Sequence, residues 1–336
     1  MTGAAGFIGA NFVRMLLKAN EPVRLIAYDK LTYAGNLENL ADVLSDARLV
    51  FVKGDICDAE MVEKTMRQYE VSEVVHFAAE SHVDRSILGS GPFVQTNVVG
   101  TQVMLDASRT IGVKRYLQVS TDEVYGTLPE DKPDEKFTEQ TPLAPNSPYS
   151  ASKAAADCLV RSYFHTFGMP VLITRCSNNY GPYQFPEKLI PLFVTNLIEG
   201  RKVPLYGDGL NVRDWLHVED HCQAIWSVLN RGVPGEVYNI GGDNELTNRV
   251  ITEVVLKQMG CRWEDSVQYV KDRLGHDRRY AIDAGKIQRE LGWMPKRRFE
   301  EAIVDTIAWF RENQTWWKNI KSGEYKQYYQ RQYAGR

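Results

Sequence analysis

The sequence has little with which to hold a nucleic acid or a membrane. Its 40 Lys and Arg are nearly matched by 43 Asp and Glu, for a formal net charge of -3. No basic excess remains to attract a polyanion, so neither nucleic acid nor an anionic membrane surface is expected as a partner. No apolar run approaches the roughly 20 residues that cross a bilayer. The first residues show no basic segment leading into an apolar stretch, and the expectation is a cytoplasmic protein. Cysteines are few: Cys57, Cys158, Cys176, Cys222 and Cys261 are odd in number and contain no C-x-x-C pair. They read as reduced thiols rather than a disulfide framework. Of the 6 histidines, His217 and His221 sit four apart around Glu219. His-Val-Glu-Asp-His is not the H-E-x-x-H of a zinc peptidase and lacks an evident third ligand, so no metal is expected.

What is present is an ordinary globular composition, 43% hydrophobic and 25% charged over 336 residues. That length accommodates two lobes sharing a cleft. Short apolar segments at 23–29, 49–52, 73–79 and 116–120 alternate with amphipathic stretches at 9–19, 59–69 and 93–111. Such alternation predicts βαβ units and a parallel sheet covered on both faces. Beyond Cys176 prolines at 182, 186, 191 and 204 break the pattern. The expected architecture is α/β: a Rossmann-type doubly wound sheet over 1–176 and a smaller mixed α/β substrate lobe over 177–336. Segments at about 211–241 are expected to return to the first lobe. The Trp- and Tyr-rich tail after Trp309 reads as an amphipathic packing helix.

Gly3, Gly6 and Gly9 recur at a spacing of three in Thr2-Gly3-Ala4-Ala5-Gly6-Phe7-Ile8-Gly9, at a loop leading into a helix. Glycine permits the tight turn and the close approach of backbone amides to a pyrophosphate, and a helix N-terminus supplies unpaired N–H groups. Asp29 follows at a strand end, where a carboxylate accepts from an adenosine ribose and repels a 2′-phosphate; NAD is expected rather than NADP. Only Met1 and Thr2 precede the first glycine, so most of the strand that such a fingerprint should follow is missing. The expectation is a natural start a few residues upstream.

Tyr149 and Lys153 form a Tyr-x-x-x-Lys motif on one face of a helical run, where an ammonium is expected to lower the phenol's pKa and make it a base. Upstream, the strand 116–120 runs into Thr121-Asp122-Glu123. At a strand's C-terminal end, two carboxylates and a hydroxyl lie where doubly wound sheets do chemistry, and an acid beside a base suits removal of water.

The glycine pattern, Ser120-Thr121-Asp122-Glu123-Val124-Tyr125-Gly126, Tyr149-Ser150-Ala151-Ser152-Lys153, Asn178-Asn179-Tyr180-Gly181-Pro182 and Asn211-Val212-Arg213-Asp214-Trp215 resemble the extended short-chain dehydrogenase/reductases. Within them the chain is similar to the nucleotide-sugar 4,6-dehydratases that act on dTDP-glucose, from Gly3 to about Pro295. The resemblance implies that Tyr149, helped by Thr121 and Lys153, takes the proton of the sugar 4-hydroxyl during oxidation by NAD. Glu123 then removes the C5 proton, protonated Asp122 donates to the departing 6-hydroxyl, and hydride returns to C6. It further implies cofactor contacts from Phe7, Ile8, Lys30, Asp55, Ile56, Phe77, Ala78, Ala79, Thr96 and Asn179. Substrate contacts would come from Ser81, Asn178, Lys188, Leu189, Pro204, Tyr206, Arg213 and Asn248, with Arg273 and His276 on the diphosphate. Family members carry proline where Leu274 stands. The family habit implies a homodimer through 93–111 and 150–167.

A UDP-sugar 4-epimerase or decarboxylase would share the cofactor and the Tyr–Lys pair but has no use for Asp122 and Glu123 together. A catalytically silent NAD- or nucleotide-sugar-binding protein would not need the Thr-Asp-Glu-Tyr-Lys set.

Overall fold

The computed structural model describes residues 1–19 and 21–322. Five strands come first along the chain: β1 (Leu25–Asp29), β2 (Leu49–Lys53), β3 (Glu73–His76), β4 (Arg115–Thr121) and β5 (Val171–Cys176). All pair in parallel, β1 with β2 and β3 with β4 with β5. Between β1 and β3 stands the short segment Met1–Thr2. Thr2 bridges Tyr28 on one side and His76 on the other. The Tyr28 N–H donates to the Met1 carbonyl at 2.9 Å, and the Thr2 N–H donates to Val75 at 3.1 Å. Two residues thus join the two groups of strands into one sheet.

The strand expected over 73–79 stops at His76, and Phe77, Ala78 and Ala79 turn off the sheet toward a cavity. Every residue of β5 is buried, as is β4 from Tyr116 onward. Helices cover both faces, which is why these strands read as apolar runs rather than alternating ones. Phe7–Lys18 and Val218–Arg231 pack on one face around Phe12, Val13, Ile225 and Val228. Ala59–Gln68, Gly100–Ile111 and Pro148–Phe167 cover the other around Met104, Tyr116 and Val160.

The helix expected over 93–111 is interrupted. Val94–Val99 forms a wide π-helical turn before Gly100–Ile111 continues regularly. Pro148–Phe167 starts from a reciprocal cap in which the Ser147 and Ser150 side chains satisfy each other's backbone N–H groups, fixing the register of Tyr149 and Lys153.

Later strands build a smaller layer. β6 (Asn178–Tyr180) and β8 (Val212–His217) are parallel, β10 (Glu245–Thr247) is antiparallel to β8, and β7 (Val203–Tyr206) pairs with β11 (Val267–Val270). A separate core of Phe193, Ile251, Phe299, Phe310 and Trp317 lies beneath them. β9 (Val237–Ile240) pairs instead with β5, beside the first lobe. At the C-terminal end Phe299–Glu312 leads into Gln314–Ile320, where Trp316 and Trp317 are buried; the rest of the expected tail helix lies outside the described residues. Among the described residues no helix is long and apolar enough to cross a membrane.

Candidate active site

A cavity of about 480 Å³ opens beyond the carboxyl ends of β1, β3, β4 and β5. The glycine-rich turn forms its floor. Gly3 has φ +65°, and a Cβ there would lie 2.6 Å from the Ala78 backbone nitrogen; at Gly9 it would lie 2.2 Å from the Gly3 carbonyl oxygen. Only glycine allows this turn and the close seating of the following helix. Asp29 is buried at the end of β1. Its carboxylate accepts from the Ala5 N–H at 2.9 Å and the Leu31 N–H at 2.8 Å. Burial raises its pKa, while those two amides pull it down.

Lys30 and Asp55 form an ion pair at 2.6 Å on the rim. Each sequence-expected cofactor residue lines this cavity: Gly3, Gly6, Phe7, Ile8, Gly9, Asp29, Lys30, Asp55, Ile56, Phe77, Ala78, Ala79, Thr96, Tyr149, Lys153 and Asn179. The cradle fits a dinucleotide because the glycine floor leaves room that any side chain would fill, while Phe7 and Ile8 present the first N–H groups of a helix. Asn179 is held from outside, its side-chain oxygen 2.8 Å from His221 Nδ1, and His217 caps the start of its own helix.

At the inner end of the cavity β4 delivers Thr121, Asp122 and Glu123. The Thr121 hydroxyl accepts from the Glu123 N–H and lies 3.3 Å from an Asp122 carboxyl oxygen. Asp122 is 2% exposed, and its Oδ2 has no hydrogen-bond partner. Burial first, then the Glu123 and Asp214 charges, push its carboxyl well above the usual range, which favours the protonated form. Glu123 is also raised by burial, but Arg273, Lys188 and Arg213 all oppose that rise. Neighbouring carboxyls in unlike surroundings divide into an acid and a base.

Tyr149 departs from expectation. Its phenol is pushed well above 10, chiefly by burial and next by the Glu123 charge, with only the Thr121 hydroxyl bond working the other way. Lys153 donates to the Val119 carbonyl at 2.7 Å, and burial lowers its own ammonium. Loss of water on burial dominates the phenol's shift, and Lys153 is turned to the Val119 carbonyl.

A second cavity of about 150 Å³ adjoins the first, and Glu123, Asn178, Glu187 and Lys188 line both. Leu189, Pro204, Tyr206, Arg213, Asn248, Arg273 and His276 line the smaller one, whereas Ser81 and Thr121 face the larger. Lys188 donates to the Ser81 carbonyl at 3.0 Å. The basic residues of the 273–279 loop divide: Arg278 pairs with Asp208 and Glu130, and Arg279 with Glu245. Arg273 and His276 face the cavity, whereas Arg278 and Arg279 do not line it. His276 Nδ1 donates to the Asp272 carboxylate at 2.6 Å, and Tyr280 stacks under Arg213 at 4.2 Å.

Sequence reasoning missed Glu187, His82 and Tyr280 on these walls. It also missed Asn97, which donates to Ser152 at 2.8 Å and exchanges bonds with the Glu80 backbone. Asn97 lies in the π-helical turn, a feature that helical periodicity conceals.

The fold and this site define a dinucleotide-dependent enzyme of the extended short-chain dehydrogenase/reductase class. Residues 1–306 match the family described as GDP-mannose 4,6 dehydratase. The chain is 56% identical over 326 residues to dTDP-glucose 4,6-dehydratase of Streptomyces antibioticus, covering 96% of this chain and 94% of the relative. It is 48% identical over 361 residues to dTDP-glucose 4,6-dehydratase 1 of Escherichia coli (strain K12), covering 100% and 99%. The crystal structure of DesIV, a dTDP-glucose 4,6-dehydratase from Streptomyces venezuelae with NAD and dTDP bound, superposes with a TM-score of 0.92 at 54% identity, covering 95% and 98%. The chain belongs to the nucleotide-sugar 4,6-dehydratase family, alongside the dTDP-glucose 4,6-dehydratases.

Proposed function

We propose that this protein is an NAD-dependent hydro-lyase that converts dTDP-glucose to dTDP-4-keto-6-deoxy-glucose and water. The observation that carries the reading is the unequal carboxyl pair. Asp122 is buried with an unpartnered oxygen in surroundings that favour its protonated form, while Glu123 faces three cations at the meeting of the two cavities. An epimerase or a decarboxylase of this fold has no need for such a pair.

The glycine turn, Asp29, Asp55 and Ile56 hold NAD in the larger cavity. NAD, when bound, accepts hydride from C4 and later returns it to C6. Arg213, Arg273 and His276 hold the diphosphate of the substrate, guanidinium forks matching phosphate oxygens. Tyr149, assisted by Thr121 and Lys153, takes the proton of the sugar 4-hydroxyl as hydride leaves C4. The resulting 4-ketone acidifies C5–H. Glu123 accepts the C5 proton as the C6–O bond breaks, and Asp122 gives its proton to the leaving hydroxyl. One water leaves; with the hydride returned to C6, Glu123 gives a proton back to C5, and the C5–C6 double bond is reduced.

Five unpaired thiols support a cytoplasmic location. Exposed Val94 and Phe167, on the helical stretches expected to self-associate, support a homodimer. The direct test is the mass of dTDP-glucose after incubation with purified protein and no added oxidant or reductant. Loss of one water without build-up of reduced cofactor is expected. An unchanged mass with dTDP-glucose, but a change with UDP- or CDP-glucose, would overturn the choice of base.

A further inference from the structure

Trp316 lies 277 positions along the chain from Asn39, yet its indole Nε1 donates to Asn39 Oδ1 at 2.8 Å. Asn39 uses its other amide atom in the opposite direction, Nδ2 donating to the Ala5 carbonyl at 2.8 Å. Ala5 stands between Gly3 and Gly6. Its carbonyl also accepts from the Asn36 N–H at 3.1 Å, and its own N–H donates to Asp29 at 2.9 Å. The turn whose inner edge forms the cofactor floor is therefore pinned from behind at Ala5. One of those pins is itself held by the C-terminal helix. Asn39 is 2% and Trp316 8% exposed, so water cannot readily replace either bond.

The same aromatic block reaches the loop over the other side of the cavity. Tyr183 packs on Trp309 and Trp316, with ring centroids 4.7 and 5.9 Å apart. Its backbone takes the rare φ of +66° just before Gln184 and Phe185, which line the cavity. Arg14 stacks over Tyr183 at 4.2 Å and donates to the Asn39 carbonyl. A packing role would ask only for an apolar ring at Trp316. The directional chain from indole N–H through Asn39 to a loop carbonyl is more than packing requires.

We infer that Asn39 and Trp316 are positioning residues for the cofactor, through which the C-terminal helix sets the pyrophosphate turn and slows the loss of NAD. The inference rests on the reading of the larger cavity as the NAD site. Its benefit is specific to this reaction: a cofactor lost between the two hydride transfers would strand the sugar half-converted.

The test is exchange of bound NAD for isotopically labelled NAD in purified holoenzyme, with thermal unfolding and turnover at saturating NAD measured alongside. Trp316→Phe keeps the ring packing and removes the donor. Asn39→Asp keeps the acceptor for Trp316 and removes the donor to Ala5. Both are expected to exchange NAD faster by about tenfold, the size of effect when a buried acceptor loses its donor. Trp309→Phe, which touches Tyr183 but makes no bond to Asn39, is expected to stay within about twofold of native. Native exchange rates in both Trp316→Phe and Asn39→Asp, with only the melting temperature lowered, would overturn the inference. Native protein that neither carries nor takes up NAD would instead overturn the assignment of the cavity.

Discussion

Replacing Glu123 by Gln removes the proposed base while keeping nearly the same shape and the same backbone contact to Thr121. The cost follows from what else could take the C5 proton. Asp122 is adjacent, but in this variant burial and the Asp214 charge still raise its carboxyl and disfavour the ionised form a base needs. Glu187, on the shared wall, is tied to Arg85 and His82. With the carboxylate beside the reacting carbon gone, turnover should fall toward the upper end of the roughly 10²–10⁴-fold range for general acid–base groups. Oxidation at C4 does not use Glu123, so reduced nicotinamide should accumulate, visible by its near-ultraviolet absorbance. Exchange of the C5 hydrogen with heavy water should stop.

The pH profile should change as well. Glu123 must be ionised to act, so native activity is lost as pH falls through its raised pKa, and the Gln variant lacks that limb. Asp122 must be protonated to act. Losing the Glu123 charge lowers its pKa, and the alkaline limb moves to lower pH. Native dehydration in this variant, or a lost reaction with no reduced nicotinamide, would refute the assignment.

Tyr149→Phe should bind NAD and dTDP-glucose yet show no reduced nicotinamide at all, with turnover down by roughly 10²–10⁴-fold; single-turnover absorbance checks this. Gly9→Ala places a Cβ 2.2 Å from the Gly3 carbonyl oxygen, so stability should drop by about 1–3 kcal/mol and bound NAD should be lost, read by calorimetry and nucleotide content. Arg273→Ala should raise KM for dTDP-glucose more than it lowers kcat, since it removes binding present before the chemistry begins. Burial raises Glu187 from 4.5 to about 7. Because the folded pKa is above the unfolded one, its ionisation costs stability, absent below about pH 4.5 and complete above about pH 7. Glu187→Gln should therefore raise Tm relative to native at about pH 8 and much less at about pH 5; equal gains at both would refute this.

The parts of the site that were legible in the sequence are those whose geometry is local. Three glycines at fixed spacing require a tight turn, and Tyr149 and Lys153 four apart share a helix face wherever that helix lies. Thr121, Asp122 and Glu123 ride the end of one strand, so finding the strand finds them. The buried strands were visible as apolar runs because helices cover both sides. What the sequence could not decide is which distant charges meet. The contrast between Asp122 and Glu123 depends on Asp214 standing near one and Arg273 and Lys188 near the other. Arg273 faces the cavity while Arg278 and Arg279 find acidic partners elsewhere, a division that the loop's path alone makes. The Tyr149 phenol rises because folding buries it beside the Glu123 charge, while the ammonium that spacing puts on the same helix face donates to the Val119 carbonyl. Local spacing thus determined which groups could react, and tertiary burial decided which proton each one holds.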